Sequence, residues 1–295
     1  MMATGLQHSQ NGKFVADETD HESDHKIDHE TDRETNPIPQ PRWSPLISCK
    51  TEDTDRFLFE LEKNLQQIPK LRHITASSVR SSAKKELTAR CPLHIDWIER
   101  QELQPFAGDY QTPETLGIDR LLTALGAWNQ TKKNTVIIDA GTACTVDAIR
   151  ADGTFAGGVI MPGLRTLHQS LRSTTPELPP VSMKLPESFP GTSTNACLQW
   201  GLNSFFVDGV IAQLNRFIST MGAMPVFITG GDASLLHTWL HESSAFWLKL
   251  NQPDSLTKPG PSHKIPTLEH AHPLKKNQIT HSPWLIFEGM AFLRK

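Results

Sequence analysis

Four short stretches carry the residue types of phosphate and hydroxyl chemistry. In the first, the apolar run Val136-Ile137-Ile138 leads into Asp139-Ala140-Gly141-Thr142-Ala143-Cys144-Thr145. A buried strand ending in a carboxylate, then glycine and threonine, suits a site for a phosphate and a cation. Glycine lets backbone N–H groups approach phosphate oxygens closely, and threonine adds a hydroxyl donor. Asp139 at the strand end can hold a cation that bridges to a nucleotide. The same Asp-x-Gly-Thr sequence also makes an ordinary hairpin turn with no ligand.

The second stretch joins Tyr110, the single tyrosine of the chain, to Gly117-Ile118-Asp119-Arg120. A carboxylate within reach of a substrate hydroxyl serves as general base, and an arginine grips a carboxylate in a bidentate fork. Placed at a helix start, Asp119 and Arg120 cannot both face a core without cost. The plainer alternative is a dipole-favoured acid with a solvated arginine beside it. The third stretch is Phe155-Ala156-Gly157-Gly158-Val159-Ile160-Met161-Pro162-Gly163, where paired glycines in a strand indicate a close backbone approach. The fourth, Ile228-Thr229-Gly230-Gly231, runs a strand into a glycine pair and a helix. That arrangement accepts a phosphate, or is simply a tight turn.

Periodicity supplies the elements that must position these residues. Thr51 to Asp55 offer helix caps, and Phe57, Leu58, Leu61 and Leu65 follow at helical spacing. The pattern predicts a strand over Leu71–Val79, a helix over Ser82–Arg90, a strand over Leu93–Ile98 and a helix over Ile118–Trp128. Strands Thr135–Asp139, Thr142–Ile149 and Phe155–Ile160 follow, the last two joined by an Asp152-Gly153 hairpin turn. A helix carries Leu164, Leu167 and Leu171, and Pro176–Pro190 form a Pro-rich connector. Then come a long helix over Ser193–Thr220, a strand over Pro225–Thr229, a helix over Ala233–His241, a polar loop over 251–283 and a last helix over Leu285–Leu293. Strands alternating with helices, with hairpins among them, indicate mixed α/β sheets with helices packed on them.

Composition divides the 295 residues in two. Lysine and arginine total 29 against 32 acids, a net charge of −3, which argues against a nucleic-acid partner. Residues 1–40 hold nine acids and three bases, a net of −6, so the remainder is mildly basic at +3. Residues 1–42 lack hydrophobic periodicity and end at Pro37, Pro39 and Pro41, the composition of a disordered head. His21, His25 and His29 recur there every fourth residue, which is either a helical metal-holding face or a solvated tail. No apolar run reaches the roughly 18 residues of a membrane helix. The start lacks the pattern of a secretory signal, and four scattered cysteines form no Cys-x-x-Cys pair. A cytoplasmic location without a membrane partner is the expectation.

Taken in order, the motifs resemble those of type III pantothenate kinases. The residues that carry the resemblance are Tyr110, Gly117–Arg120, Asp139–Thr145, Gly157–Gly163, Leu178-Pro179-Pro180-Val181, Gly191-Thr192-Ser193-Thr194 and Thr229-Gly230-Gly231. The resemblance spans roughly Trp43 to Lys295. It implies two related α/β domains of the actin-like, sugar-kinase-like (RNase H-like) fold, with a disordered head over 1–42, a first domain over 43–128 and a second over 129–295. The implied reaction is ATP-dependent phosphorylation of pantothenate to 4'-phosphopantothenate, the first step of coenzyme A biosynthesis. Phosphoryl transfer of this kind is mostly positioning and charge neutralisation.

Roles follow residue by residue from the resemblance. Asp119 would take the proton of the pantothenate hydroxyl, and Tyr110, Gly117, Ile118 and Arg120 would line the pantothenate pocket. Thr194 would complete that pocket across a homodimer interface. Gly141 and Thr142 would contact ATP, which comes with Mg2+, and Asp139 would bind a monovalent cation, potassium or ammonium. The family's opening Asp-x-Gly-Asn-Thr phosphate loop has no counterpart before Trp43; Asn11-Gly12-Lys13 is the nearest fragment. The first domain is therefore expected to lack its leading strands and to leave Leu71–Val79 with an open edge. Three explanations follow: a misplaced start, a catalytically inactive relative that binds pantothenate as a dimer, or, less favoured than these, an unrecognised substitute that holds ATP.

Overall fold

The computed structural model describes residues 2–5, 9–10, 13–14, 45–49, 54–65, 73–78, 81–185, 188–242 and 279–294. They fall into two compact units, Met1–Trp97 and Ile98–Lys295. The expected boundary at 128 moves to 97 because the helix Ile118–Thr131 packs on the last helix and on the sheet of the second unit. The mixed α/β class is as expected. No described helix is long and apolar enough to cross a membrane.

In the first unit, β1 (Met2–Gly5) runs antiparallel to β4 (Pro45–Cys49), and β2 (Ser9–Gln10) pairs with β3 (Lys13–Phe14). These strands correct the expectation of disorder over 1–42 at its start. Asn11-Gly12, the dipeptide that two-residue hairpins favour, separates β2 from β3. His21, His25 and His29 lie outside the described residues. Helix α1 (Thr54–Leu65) buries Phe57, Leu58 and Leu61 against Ile74 of β5 (His73–Ala76) and Leu87 of α2 (Ser81–Arg90). Strand β5 pairs in parallel with β6 (His94–Trp97) in a sheet of two, which no described leading strand joins.

The second unit opens with a short helical turn, α3 (Arg100–Leu103), and the helix α4 (Ile118–Thr131). Its five-stranded sheet has the order β11-β10-β7-β8-β9. Strands β7 (Thr135–Ala140), β8 (Ala143–Ile149) and β9 (Phe155–Pro162) form an antiparallel meander. Strands β10 (Val226–Thr229) and β11 (Ile279–His281) add in parallel beside β7. Strand β11 falls inside the expected loop 251–283 and corrects it; three residues are too few for a periodic signal, and their order comes from pairing with β10. At the β8–β9 turn, Gly153 takes φ +87°, a conformation that glycine adopts without strain, and Asp152 Oδ1 accepts the Thr154 N–H at 2.9 Å.

Alternation along the strands sorts their side chains onto two faces. Val136, Ile138, Cys144, Val146 and Ala148 pack with Phe206, Val210 and Leu214 of α7 (Phe205–Met221) and with Leu236 and Leu240 of α8 (Ala233–Glu242). Asp139, Thr145 and Asp147 lie on the alternate positions, the face that α4 covers. Helix α5 (Leu164–Thr174) follows Gly163, and α6 (Thr194–Gln199) passes into α7 through a π-helical turn at Trp200–Ser204. That turn interrupts the single helix expected over Ser193–Thr220. Buried Asn203 of the turn donates to the carbonyls of Ser182 and Lys184, at 3.3 and 2.7 Å. Helix α9 (Leu285–Leu293) lies against α4.

Candidate active site

Helix α4 starts at Gly117, whose backbone is extended at φ −59° and ψ 132°. A Cβ on Gly117 would overlap Asp119 Oδ1, so the glycine gives the carboxylate room to fold back over the helix start. There the same oxygen accepts the N–H of Arg120 at 2.9 Å. An acid in the first turn also gains from the helix dipole.

Arg120 turns into the protein, against the solvated alternative. Its Nε donates to both carboxylate oxygens of Asp147, at 3.1 and 3.2 Å, and Nη2 donates to Oδ1 at 2.5 Å. Thr145 Oγ1 donates to the second oxygen at 2.8 Å. Burial opposes the charge on Arg120, yet the hydrogen bonds and charge of Asp147, followed by a hydrogen bond to Tyr110, hold the guanidinium above its ordinary pKa. Burial raises the pKa of Asp147, opposed by Arg120 and Thr145. The guanidinium carbon lies 5.3 Å from the centre of the Phe155 ring, and Tyr110 meets that ring edge-on at 5.8 Å. Tyr110 and Phe155 also line a cleft of about 320 Å³ with Asp109, Gln111, Thr112, Arg150 and Ala156.

Asp139, next to last in β7, lies opposite Thr145 and beside Thr229. Burial, then the negative charges of Asp119 and Asp147, push its pKa up to about 6. No ion pair offsets that charge among the described residues. The Arg120 guanidinium pairs with Asp147, so Asp119 and Asp139 add negative charge that it does not offset, and among the described residues no group of three or more His, Cys, Asp or Glu side chains is arranged to hold a metal ion. Gly230, at φ +96°, closes over this carboxylate, where a Cβ would overlap Asp139 Oδ1 and sit 2.7 Å from the Ala140 carbonyl. The buried Cys144 thiol is pushed up to about 12, first by burial, and is no nucleophile at neutral pH.

The loop after Asp139 is clasped from two sides. Gly163 N–H and Thr166 Oγ1 both donate to the Thr142 carbonyl, at 3.0 and 2.6 Å, and Asp232 N–H donates to the Ala140 carbonyl at 2.9 Å. The Gly141 N–H is engaged by the Ala143 carbonyl at 3.2 Å, while the Thr142 side chain stands exposed. Asp232, itself buried, accepts from Arg165 Nε at 2.8 Å, and the rest of the Arg165 side chain reaches into solvent.

A family model described as type III pantothenate kinase matches residues 38–217. The chain belongs to the type III pantothenate kinase family. It is therefore a member of a kinase family, a group of transferases. It is 34% identical to the type III pantothenate kinase of Flavobacterium johnsoniae over 178 residues, 60% of this chain and 73% of that one. The type III pantothenate kinase of Flavobacterium psychrophilum is 31% identical over 202 residues, 66% of this chain and 82% of the other. Among solved structures, the ROK hexokinase of Thermus thermophilus superposes with a TM-score of 0.42 at 10% identity, over 85% of this chain and 89% of that one.

Of the positions assigned by resemblance to type III pantothenate kinases, Tyr110, Gly117, Asp119, Arg120 and Asp139 come together around one carboxylate cluster, and Ile118 is buried at the start of α4. Thr194 does not join them. It is exposed at the first position of α6, where Ser193 caps the helix by accepting the Ala196 N–H at 3.2 Å. Asp147 and Asp232 were missed by motif reading. A carboxylate at an otherwise apolar position of β8 was the available signal for Asp147.

Proposed function

We propose that this chain phosphorylates the primary hydroxyl of pantothenate with ATP, giving 4'-phosphopantothenate, as a cytoplasmic enzyme at the first step of coenzyme A synthesis. The observation that carries this reading is the meeting of Asp119 and Asp139 on one face of the sheet, beside an arginine buried against Asp147. Asp119, free of any ion pair among the described residues, is the base that receives the hydroxyl proton. Arg120 and Tyr110 hold the acidic substrate. Thr142 offers its exposed hydroxyl to phosphate, and the glycines at Gly141 and Gly230 let a phosphate approach the backbone closely. Asp139 is the ligand for a monovalent cation, potassium or ammonium, and with Asp119 it also suits Mg2+. Bound cations would supply neutralisation of the negative charge that phosphoryl transfer places on phosphate oxygens.

A homodimer completes the substrate pocket in this reading, with Thr194 supplied from the partner. Its support is apolar exposure: Ile160 and Phe205 are 63% and 64% exposed. Phe205 also lines a groove of about 540 Å³ with Met161, Pro162 and Asp208. The test is ADP release measured with and without pantothenate and with potassium, ammonium or sodium. Turnover that requires pantothenate and rises with potassium or ammonium is expected. ADP release indifferent to pantothenate, or calorimetry showing pantothenate binding without ATP binding, would reject the kinase reading.

A further inference from the structure

We infer that Asp147 is a positioning residue, which fixes the Arg120 guanidinium so that its remaining donors are presented to the acidic substrate; this rests on the function proposed above. Arginine carries five N–H donors. Asp147 takes the Nε–H and one Nη2–H, which leaves the second Nη2–H and both Nη1–H groups for other partners. Neither Asp147 nor Arg120 lines the cleft of Tyr110 and Phe155, but the Arg120 guanidinium carbon lies 5.3 Å from the centre of the Phe155 ring that does. The Asp147 side chain is 1% exposed and that of Arg120 is 10% exposed.

Three observations show that the sheet is built around this pair. Thr145, two residues before Asp147 on the same face, spends its hydroxyl on the Asp147 oxygen that Nη2 does not use. Gly158 is the cross-strand partner of Asp147, and a Cβ there would overlap the carboxylate and lie 2.7 Å from Arg120 Nη2. The Phe155 ring lies beside the guanidinium and limits its movement. A buried ion pair is seldom worth more to stability than apolar side chains of the same volume. What it supplies here is orientation, because an unheld arginine would sample many rotamers before meeting its ligand.

The test uses the full-length protein and the variants Asp147→Asn and Thr145→Val, with folding checked by thermal melting. Asp147→Asn keeps the shape and removes the charge. It is expected to raise the KM for pantothenate about 10- to 100-fold, the range of a charged hydrogen bond. The kcat and the KM for ATP should stay within about threefold of the parent. Thr145→Val should shift the same KM in the same direction by a smaller factor. In an Arg120→Gln background, Asp147→Asn should add nothing further, because the residue through which it acts is gone.

The Arg120 Nε–H resonance in NMR gives a readout independent of turnover. It should exchange slowly in the parent and quickly in Asp147→Asn. An unchanged pantothenate KM in Asp147→Asn, or an equal further rise in the Arg120→Gln background, overturns the inference while leaving the kinase reading intact. A parent that turns over no pantothenate rejects that reading. The resonance then decides by itself, and protection retained in Asp147→Asn overturns the positioning role. Should Asp147→Asn fail to fold, Thr145→Val decides, and no change in either KM or exchange overturns it.

Discussion

Gly158 stands opposite Asp147 across β8 and β9, and the space where a side chain would begin is filled by the Asp147 carboxylate. The glycine is therefore part of the ion pair although it makes no bond to it. Gly158→Ala should push the carboxylate off the guanidinium, leaving both charges poorly paired in a buried site. Losing such a pair costs about 3–5 kcal/mol, and urea melting should show a loss approaching that range. Gly157→Ala is the control next door. No atom lies within 4 Å of a Cβ there, so its cost is limited to its backbone at φ +109°.

Asp119→Asn separates the proton acceptor from the substrate pocket. The amide keeps the shape, and its oxygen can still accept the Arg120 N–H, but it cannot take a proton. A fall in kcat of about 10²–10⁴-fold is expected, with pantothenate affinity by calorimetry within about tenfold of the parent. A variant that turns over at the parent rate would remove Asp119 from the chemistry.

The raised pKa of Asp139 gives a pH signature with a definite sign. Burial and the neighbouring carboxylates push its carboxyl up to about 6 in the folded chain from an ordinary 3.8, so the folded state holds the proton more tightly. Stability from this group is fully present below the lower value and is lost as pH rises through the upper one. Above pH 6 the ionised group costs up to about 3 kcal/mol. Asp139→Asn should therefore melt higher than the parent at pH 8 without cations, by on the order of 5 °C. The difference should close near pH 4. Adding potassium or magnesium should raise the melting temperature of the parent and leave that of the variant unmoved.

The strongly periodic parts of this fold were legible in the sequence. Helix α9 matches its expected span at both ends, and β7, β8 and β9 differ from theirs by no more than two residues, because long apolar runs and an Asp-Gly turn are local signals. Strands β4 and β11 were not legible, since both are short and gain order only from a partner distant in sequence. The same distinction divides the site. Asp119, Arg120 and Asp139 stand in recognisable local motifs, but Asp147 acquires its meaning from Arg120, 27 residues earlier. The burial of Arg120 ran against local logic for the same reason, as its counter-charge lies on another element.

The helix that presents Asp119 and Arg120 is set by a contact far from both. A Cβ on Gly126 of α4 would overlap the Leu285 carbonyl and lie 3.1 Å from the Gly289 nitrogen, while a Cβ on Gly289 of α9 would overlap the Leu122 carbonyl. The two helices thus touch backbone to backbone at reciprocal glycines. Gly289→Ala must force them apart, and overpacking of this kind costs about 1–3 kcal/mol. The displacement is carried along a rigid rod to the N-terminus of α4, where misplacement of about 1 Å is enough to lower turnover by as much as 10²-fold. Gly289→Ala should therefore lose activity well beyond its loss of stability, measured at a temperature where the variant is fully folded. Activity that merely tracks the folded fraction of Gly289→Ala would show that α4 does not transmit the displacement.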